Sequence, residues 1–237
     1  MENKVYLIGS GPGDPELVTV KGLKIIQKCD CILYDFLSSV PLLDEVKSSC
    51  EKICVGKADG LHLKEQSEIN DLLYEKSLEH KIVVRLKGGD PFIFSRGYDE
   101  KTFLQEKGVE VKVIPGITSA IAAPESFGIP LTIKNKISSV AILTGRKKDI
   151  NALIEAPDCA TLIYLMAVAN IKNVVKALLK SGRKGDTPCA FIERTTHKDS
   201  RIIYATIRTI EEETEKHKIK PPAVLVVGEV VSYGKRD

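Results

Sequence analysis

Short β-rich runs alternate with amphipathic helical segments along the first half of the chain, and this alternation restricts the fold more than any other feature. The runs "KVYLIG" (4–9), "CILYD" (31–35), "EKICVG" (51–56), "KIVVRL" (81–86) and "VEVKVI" (109–114) read as strands. Between them, residues 19–29, 67–80 and 99–108 carry apolar side chains at helical spacing. Thr19 and Ser67 are expected as caps, with Ile69, Leu72, Leu73 and Leu78 on one apolar face. The strand runs are rich in Val, Ile and Leu with few polar interruptions. That texture predicts a largely parallel sheet covered by helices on both faces.

The pattern changes at "PGITSAIAAPESFGIPLT" (115–132), which is rich in small residues, glycine and proline. A helix from Thr118 to about Phe127 is expected there, with Pro124 kinking or ending it. Beyond this connector, runs at 138–145, 160–168, 187–194, 200–207 and 222–231 read as strands, with one helix over 170–182. More strands and fewer helices predict a mixed, partly antiparallel second sheet. The expected organisation is two α/β domains, 1–114 and 115–237.

Charge and cysteine usage exclude several classes. With 35 basic and 32 acidic side chains the net charge is +3, too even to predict a nucleic-acid partner. No apolar run approaches the ~20 residues that span a bilayer. The opening "MENKVYLIGSG" enters a strand directly, without a signal-peptide layout. A cytoplasmic protein with no membrane partner is the expectation. Cysteines 29, 31, 50, 54, 159 and 189 lack the spacing of a structural zinc site. They are read as reduced, buried thiols, with no metal and no disulfide.

Two strand ends carry unusual loops. "GSGPGDP" (9–15) has a GxG start, but Asp14 stands where a dinucleotide fingerprint needs glycine, and Pro12 and Pro15 remove amide donors. "GGDP" (88–91) pairs two glycines with a carboxylate, followed by Phe92 and Phe94. In open α/β sheets ligands collect beyond the C-terminal ends of strands. Proline-stiffened, carboxylate-bearing loops suit a cationic nucleoside better than a pyrophosphate. S-Adenosylmethionine has that chemistry.

The segments "GSGPGDPELVTVKGL", "GKADGLHLKEQSEIN", "RLKGGDPFIFSRG", "VIPGITSAIAAPESFGIPLT", "ILTGR" and "PPAVLVVGEVV" resemble, in order and over nearly the whole chain, the tetrapyrrole methylases. "RLKGGDPFIF" and "GIPLT" are most similar to the member that methylates uroporphyrinogen III. The resemblance implies two α/β domains with the active site in the cleft between them, and a homodimer. It implies S-adenosylmethionine as methyl donor, S-adenosylhomocysteine as product, and methylation of uroporphyrinogen III at C2 and C7 to give precorrin-2 for sirohaem and cobalamin. It places donor contacts at Pro12, Gly88, Gly89, Asp90, Ile93, Thr118, Ser119, Met166, Ala190 and Thr195, and an acid/base pair at Asp35 and Lys57.

A substrate with eight carboxylates implies a basic lining, for which Lys57, Arg85, Lys87, Arg96, Lys134 and Arg146 are the candidates. His62 also matches the family, in a packing or substrate role. The chain departs from the family pattern at Ala58, Ser95, 98–100, Ile133, Lys134, Arg146 and Leu165. These changes fall where substrate rather than donor is expected. Alternative readings are another precorrin methyltransferase of the cobalamin branch and a non-catalytic nucleoside- or tetrapyrrole-binding protein.

Overall fold

A computed structural model of the chain describes residues 4–35, 40–56, 65–146 and 154–234. The chain divides into two compact units, Met1–Thr118 and Ser119–Asp237, so residues 115–118 stay with the first. Lys57, Ala58 and His62 lie outside the described residues.

The N-terminal unit is built on strands β1 (Lys4–Gly9), β2 (Cys31–Tyr34), β3 (Glu51–Cys54), β4 (Ile82–Lys87) and β5 (Glu110–Ile114). They form one sheet in the order β3-β2-β4-β1-β5, and every pair is parallel. Helix α1 (Val20–Ile26) follows β1, α2 (Gln66–Glu79) precedes β4, and α3 (Gly97–Glu106) links β4 to β5. One face of the sheet packs Ile8, Ile32, Val84 and Ile114 with Ile26 of α1. The other packs Val5, Leu33 and Val83 with Ile69 and Leu73 of α2 and Leu104 of α3. Burial on both faces explains the near-continuous apolar strands.

Thr19 caps α1 as its sequence predicts, its hydroxyl accepting from the Gly22 N–H at 3.1 Å. The start of α2 differs from expectation. Glu65, not Ser67, is the cap, and the Glu68 carboxylate accepts its backbone N–H in a capping box. Leu78 also departs from the predicted apolar face and is exposed, while Ser77 takes the buried position and donates to the Tyr74 carbonyl.

The C-terminal unit holds β6 (Val140–Thr144), β7 (Thr161–Leu165), β8 (Pro188–Glu193), β9 (Arg201–Thr206) and β10 (Ala223–Val227) in the order β6-β7-β10-β8-β9. Only β6 and β7 pair in parallel, so the sheet is mixed. Helix α4 (Ser119–Ser126) lies on one face through Ala120 and Ala123. Helices α5 (Ile171–Lys180) and α6 (Ile210–Lys216) cover the other through Val174, Leu178 and Ile210. Pro124 sits inside α4, and the helix ends soon afterwards, with the Ile129 N–H returning to the Pro124 carbonyl at 2.9 Å. Among the described residues, no helix is long and apolar enough to cross a membrane.

Candidate active site

Three loops leave neighbouring strands β4, β1 and β5 at their C-terminal ends, and glycine lets their backbones touch. The Gly89 N–H donates to the Gly11 carbonyl at 2.8 Å, and the Gly11 N–H to the Gly89 carbonyl at 3.3 Å. A Cβ on Gly9 would lie 2.5 Å from the Gly89 carbonyl oxygen, and one on Gly116 would lie 2.2 Å from the same atom. Close backbone approach is therefore what Gly9 and Gly116 are for, while Gly89 supplies a φ of 67°.

Asp90 ties the loops together. One carboxylate oxygen accepts from the Phe92 N–H at 2.8 Å, and the other from the Gly116 N–H at 3.1 Å. Each oxygen keeps a second lone pair for a ligand. Asp14 has a local task as well, accepting from the Glu16 N–H at 2.9 Å to start the turn at Pro15–Leu17. Phe92 and Phe94 are about half exposed, and Phe92 meets Tyr98 edge to face at 6.1 Å. Phe94 and Arg96 have positive φ, which marks a loop held in an unusual shape. Ser95 turns its hydroxyl to the Pro91 carbonyl.

Beside these loops a charged cluster runs through the end of the sheet. Arg85 and Lys87 alternate along β4 on the face covered by α2 and α3, and each is only 2 % exposed. Arg85 Nη2 donates to both oxygens of Asp35, at 2.7 and 3.0 Å, just past the end of β2. Its Nε donates to Glu100 Oε1 at 3.2 Å, and its Nη1 to the Leu86 carbonyl at 3.1 Å. Lys87 Nζ donates to the same Glu100 oxygen at 2.8 Å. Burial, the largest influence on Arg85, opposes its charge, but Glu100 and Asp35 outweigh it and its pKa is raised. Burial first, then the neighbouring guanidinium, pushes the Lys87 ammonium below its usual range.

The predicted residues divide accordingly. Pro12, Gly88, Gly89, Asp90, Ile93 and Thr118 belong to the N-terminal unit, on or next to the three loops. Arg85 and Lys87, expected as a basic lining, are enclosed in the ion cluster because burying two cations requires the carboxylates around them. Arg96 is exposed and lies 3.7 Å from Asp99.

In the C-terminal unit Ser119 opens α4, Thr195 is buried, and Met166 follows β7 with φ of 56° and an exposed side chain. Ala190 is fully buried mid-strand in β8, its side chain in the apolar cluster with Ile163 and Val226. Lys134 is exposed on a short turn closed by the Ile133 and Ile137 backbones. Arg146 is exposed past β6, its N–H donating to Thr144 Oγ1 at 3.1 Å.

Glu100 was not among the predicted site residues, and neither was Gln66, whose Nε2 donates to Glu100 Oε1 at 3.3 Å. The signal for Glu100 was present but indirect: two cations on one face of a buried strand require a buried carboxylate.

The cysteines behave differently. Cys31, Glu51 and His80 bring donor atoms within 4.8 Å of one another at the N-terminal edge of the sheet, away from the glycine loops. Glu51 there already pairs with Lys76 at 3.1 Å and His80 at 2.9 Å. Burial pushes the thiols of Cys31 and Cys189 up to about 12, with Glu51 adding to the effect on Cys31. At pH 8 such a thiol is ionised about once in ten thousand, against about a quarter of the time for a free cysteine. Cys54 and Cys159 are partly exposed, so a disulfide reagent at pH 8 should label them well before the fully buried Cys31 and Cys189. Mass mapping of early adducts checks this; equal rates would contradict it.

The tetrapyrrole (corrin/porphyrin) methylases match the chain over residues 4–211. A uroporphyrinogen-III C-methyltransferase of Methanocaldococcus jannaschii is 46 % identical, over 98 % of each chain. The crystal structure of uroporphyrin-III C-methyl transferase from Thermus thermophilus complexed with S-adenyl homocysteine superimposes with TM-score 0.82 and 36 % identity. It covers 97 % of this chain and 99 % of that one. A cobalt precorrin-4 methyltransferase of cobalamin biosynthesis has the same TM-score at 28 % identity, covering 96 % and 95 %. The sheet orders, the glycine-packed strand-end loops and these matches lead to one conclusion: the chain belongs to the tetrapyrrole methylases.

Proposed function

We propose that the protein is an S-adenosylmethionine-dependent C-methyltransferase that methylates uroporphyrinogen III at C2 and C7, giving precorrin-2. The observation that carries this reading is 46 % identity, over 98 % of both chains, to a uroporphyrinogen-III C-methyltransferase. The site chemistry fits a methyl donor of this kind. Gly89 takes a φ of 67° and bonds the Gly11 backbone, Asp90 keeps lone pairs for a ribose or an ammonium, and Phe92 offers apolar surface. Pro12, Ile93 and Thr118 join them, and the family likeness adds Ser119, Met166, Ala190 and Thr195.

In each transfer a pyrrole carbon attacks the sulfonium methyl. A C–C bond forms, the S–CH3 bond breaks with its electron pair going to sulfur, and the macrocycle then loses a proton. Asp35 is the acceptor of that proton, held by Arg85, and Lys57 is the donor during double-bond rearrangement. Arg96, Lys134 and Arg146 offer exposed positive charge to substrate carboxylates, whereas Arg85 and Lys87 are buried and spend theirs on Asp35 and Glu100. Much of the rate comes from orientation, because the sulfonium is already activated. The reading includes a homodimer in the cytoplasm.

Anaerobic incubation with uroporphyrinogen III and methyl-labelled S-adenosylmethionine tests it through the product mass. Two labelled methyl groups are expected. Donor binding without transfer would move the substrate to a later corrin intermediate, the reading favoured by the likeness to the cobalt precorrin-4 enzyme.

A further inference from the structure

We propose that Glu100 is a positioning residue for methyl transfer: it anchors Arg85, and through Arg85 sets the aim of the Asp35 carboxylate. The proposal rests on the reading of Asp35 as the proton acceptor. Glu100 is fully buried in the first turn of α3. Its Oε1 accepts from Lys87, from Arg85 and, at 3.3 Å, from Gln66 Nε2 of α2. Its Oε2 is buried with no hydrogen-bond partner. A carboxylate in this position does not make the best of its own solvation, since one oxygen serves three donors and the other serves none.

Stability alone is a poor reason for such a cluster. Buried ion pairs can often be replaced by apolar residues of similar volume without loss, because desolvation offsets the attraction. Geometry gives a better reason. The guanidinium is a rigid planar fork, and here each of its three nitrogens donates: Nε to Glu100, Nη1 to the Leu86 carbonyl and Nη2 to Asp35. Glu100 holds the guanidinium at Nε, next to the Nη2 that carries Asp35. Without it the guanidinium can turn, and Asp35, one third exposed, turns with it. The donor loops are tied by Gly11, Gly89, Asp90 and Gly116, in bonds that do not include Glu100. A loss of aim should therefore appear in turnover and spare donor binding.

The test compares Glu100→Gln, Glu100→Asp and the double variant Glu100→Gln/Lys87→Met, which removes one charge of each sign. Each is checked for folding by circular dichroism, then for kcat and KM with uroporphyrinogen III and for S-adenosylmethionine affinity by calorimetry. The expected result is a fall in kcat of about tenfold or more for Glu100→Gln and the double variant. Donor affinity and KM should stay within about twofold, with part of kcat restored in Glu100→Asp. If Glu100→Gln does not fold, the charge-balanced double variant decides. Wild-type kcat in a folded variant, a loss confined to KM or donor affinity, or failure of both variants to fold would overturn the positioning role.

Asp35→Asn in the same assay separates the two claims. Full turnover by Asp35→Asn overturns the acceptor reading and the positioning role with it. Loss of turnover there, with Glu100 variants unaffected, overturns the positioning role alone.

Discussion

Replacing Asp35 with asparagine should lower methyl transfer by about 10²–10⁴-fold while leaving S-adenosylmethionine affinity within about twofold. The expected size follows from the position of the carboxylate. Both its oxygens accept from Arg85 Nη2, so the group is held in one orientation past the end of β2. An amide of the same shape cannot take a proton from the macrocycle, and its NH2 would face a guanidinium that only donates. Donor affinity is spared because the glycine loops hold one another through backbone bonds and Asp90. Single-turnover methylation with calorimetry for the donor checks both halves. Near-normal turnover would leave Asp35 as nothing more than the partner of a buried arginine.

The second large effect concerns the fold beneath the site. Gly116→Ala should destabilise the N-terminal unit by about 3 kcal/mol or more, lower its Tm by roughly 10 °C, and abolish donor binding. The added Cβ would sit 2.2 Å from the Gly89 carbonyl oxygen and 2.7 Å from the Gly9 Cα. Both neighbours are backbone in loops on adjacent strands, so relief requires moving the GGDP loop itself. Gly108→Ala is the comparison: its φ is +79°, but a Cβ there meets nothing within 4 Å. Backbone strain alone should cost about 1–2 kcal/mol at that site. Gly108 also lies beyond the C-terminal end of α3, before β5 begins, so donor binding should survive. Thermal melts and donor calorimetry on the pair distinguish steric overlap from general loss of glycine freedom. Equal effects of the two substitutions would refute the packed-glycine account.

Much of this architecture was legible because its causes are local. The apolar runs of β1, β2 and β4 could be read as buried parallel strands because a strand covered on both faces has no reason to alternate. Thr19 was legible as a cap because its hydroxyl acts within one turn. Helix α6, "IEEETEK", was not: only Ile210 and Thr214 are buried, so the segment has almost no apolar periodicity to detect. At α2 the expected cap, Ser67, lies inside the helix, because Glu65 two residues earlier forms the reciprocal box with Glu68, a contact that spacing does not reveal. Leu78 looked like a core residue because helical spacing does not say where the packed face ends.

The sequence by itself determined the class of fold, the change of texture near residue 115, and the glycine and carboxylate chemistry of the strand-end loops. Each is written into short runs by dihedral preference, side-chain size and periodicity. Only the tertiary structure decided that Arg85 and Lys87 are buried rather than a solvent-facing lining, that Asp90 cross-links two loops, and that Glu100 closes the cluster around Asp35. Those facts depend on which strands become neighbours. A charged side chain takes its role from the partners that solvent exclusion forces on it, and the partners arrive from β2, β4, α2 and α3 only when the sheet has formed.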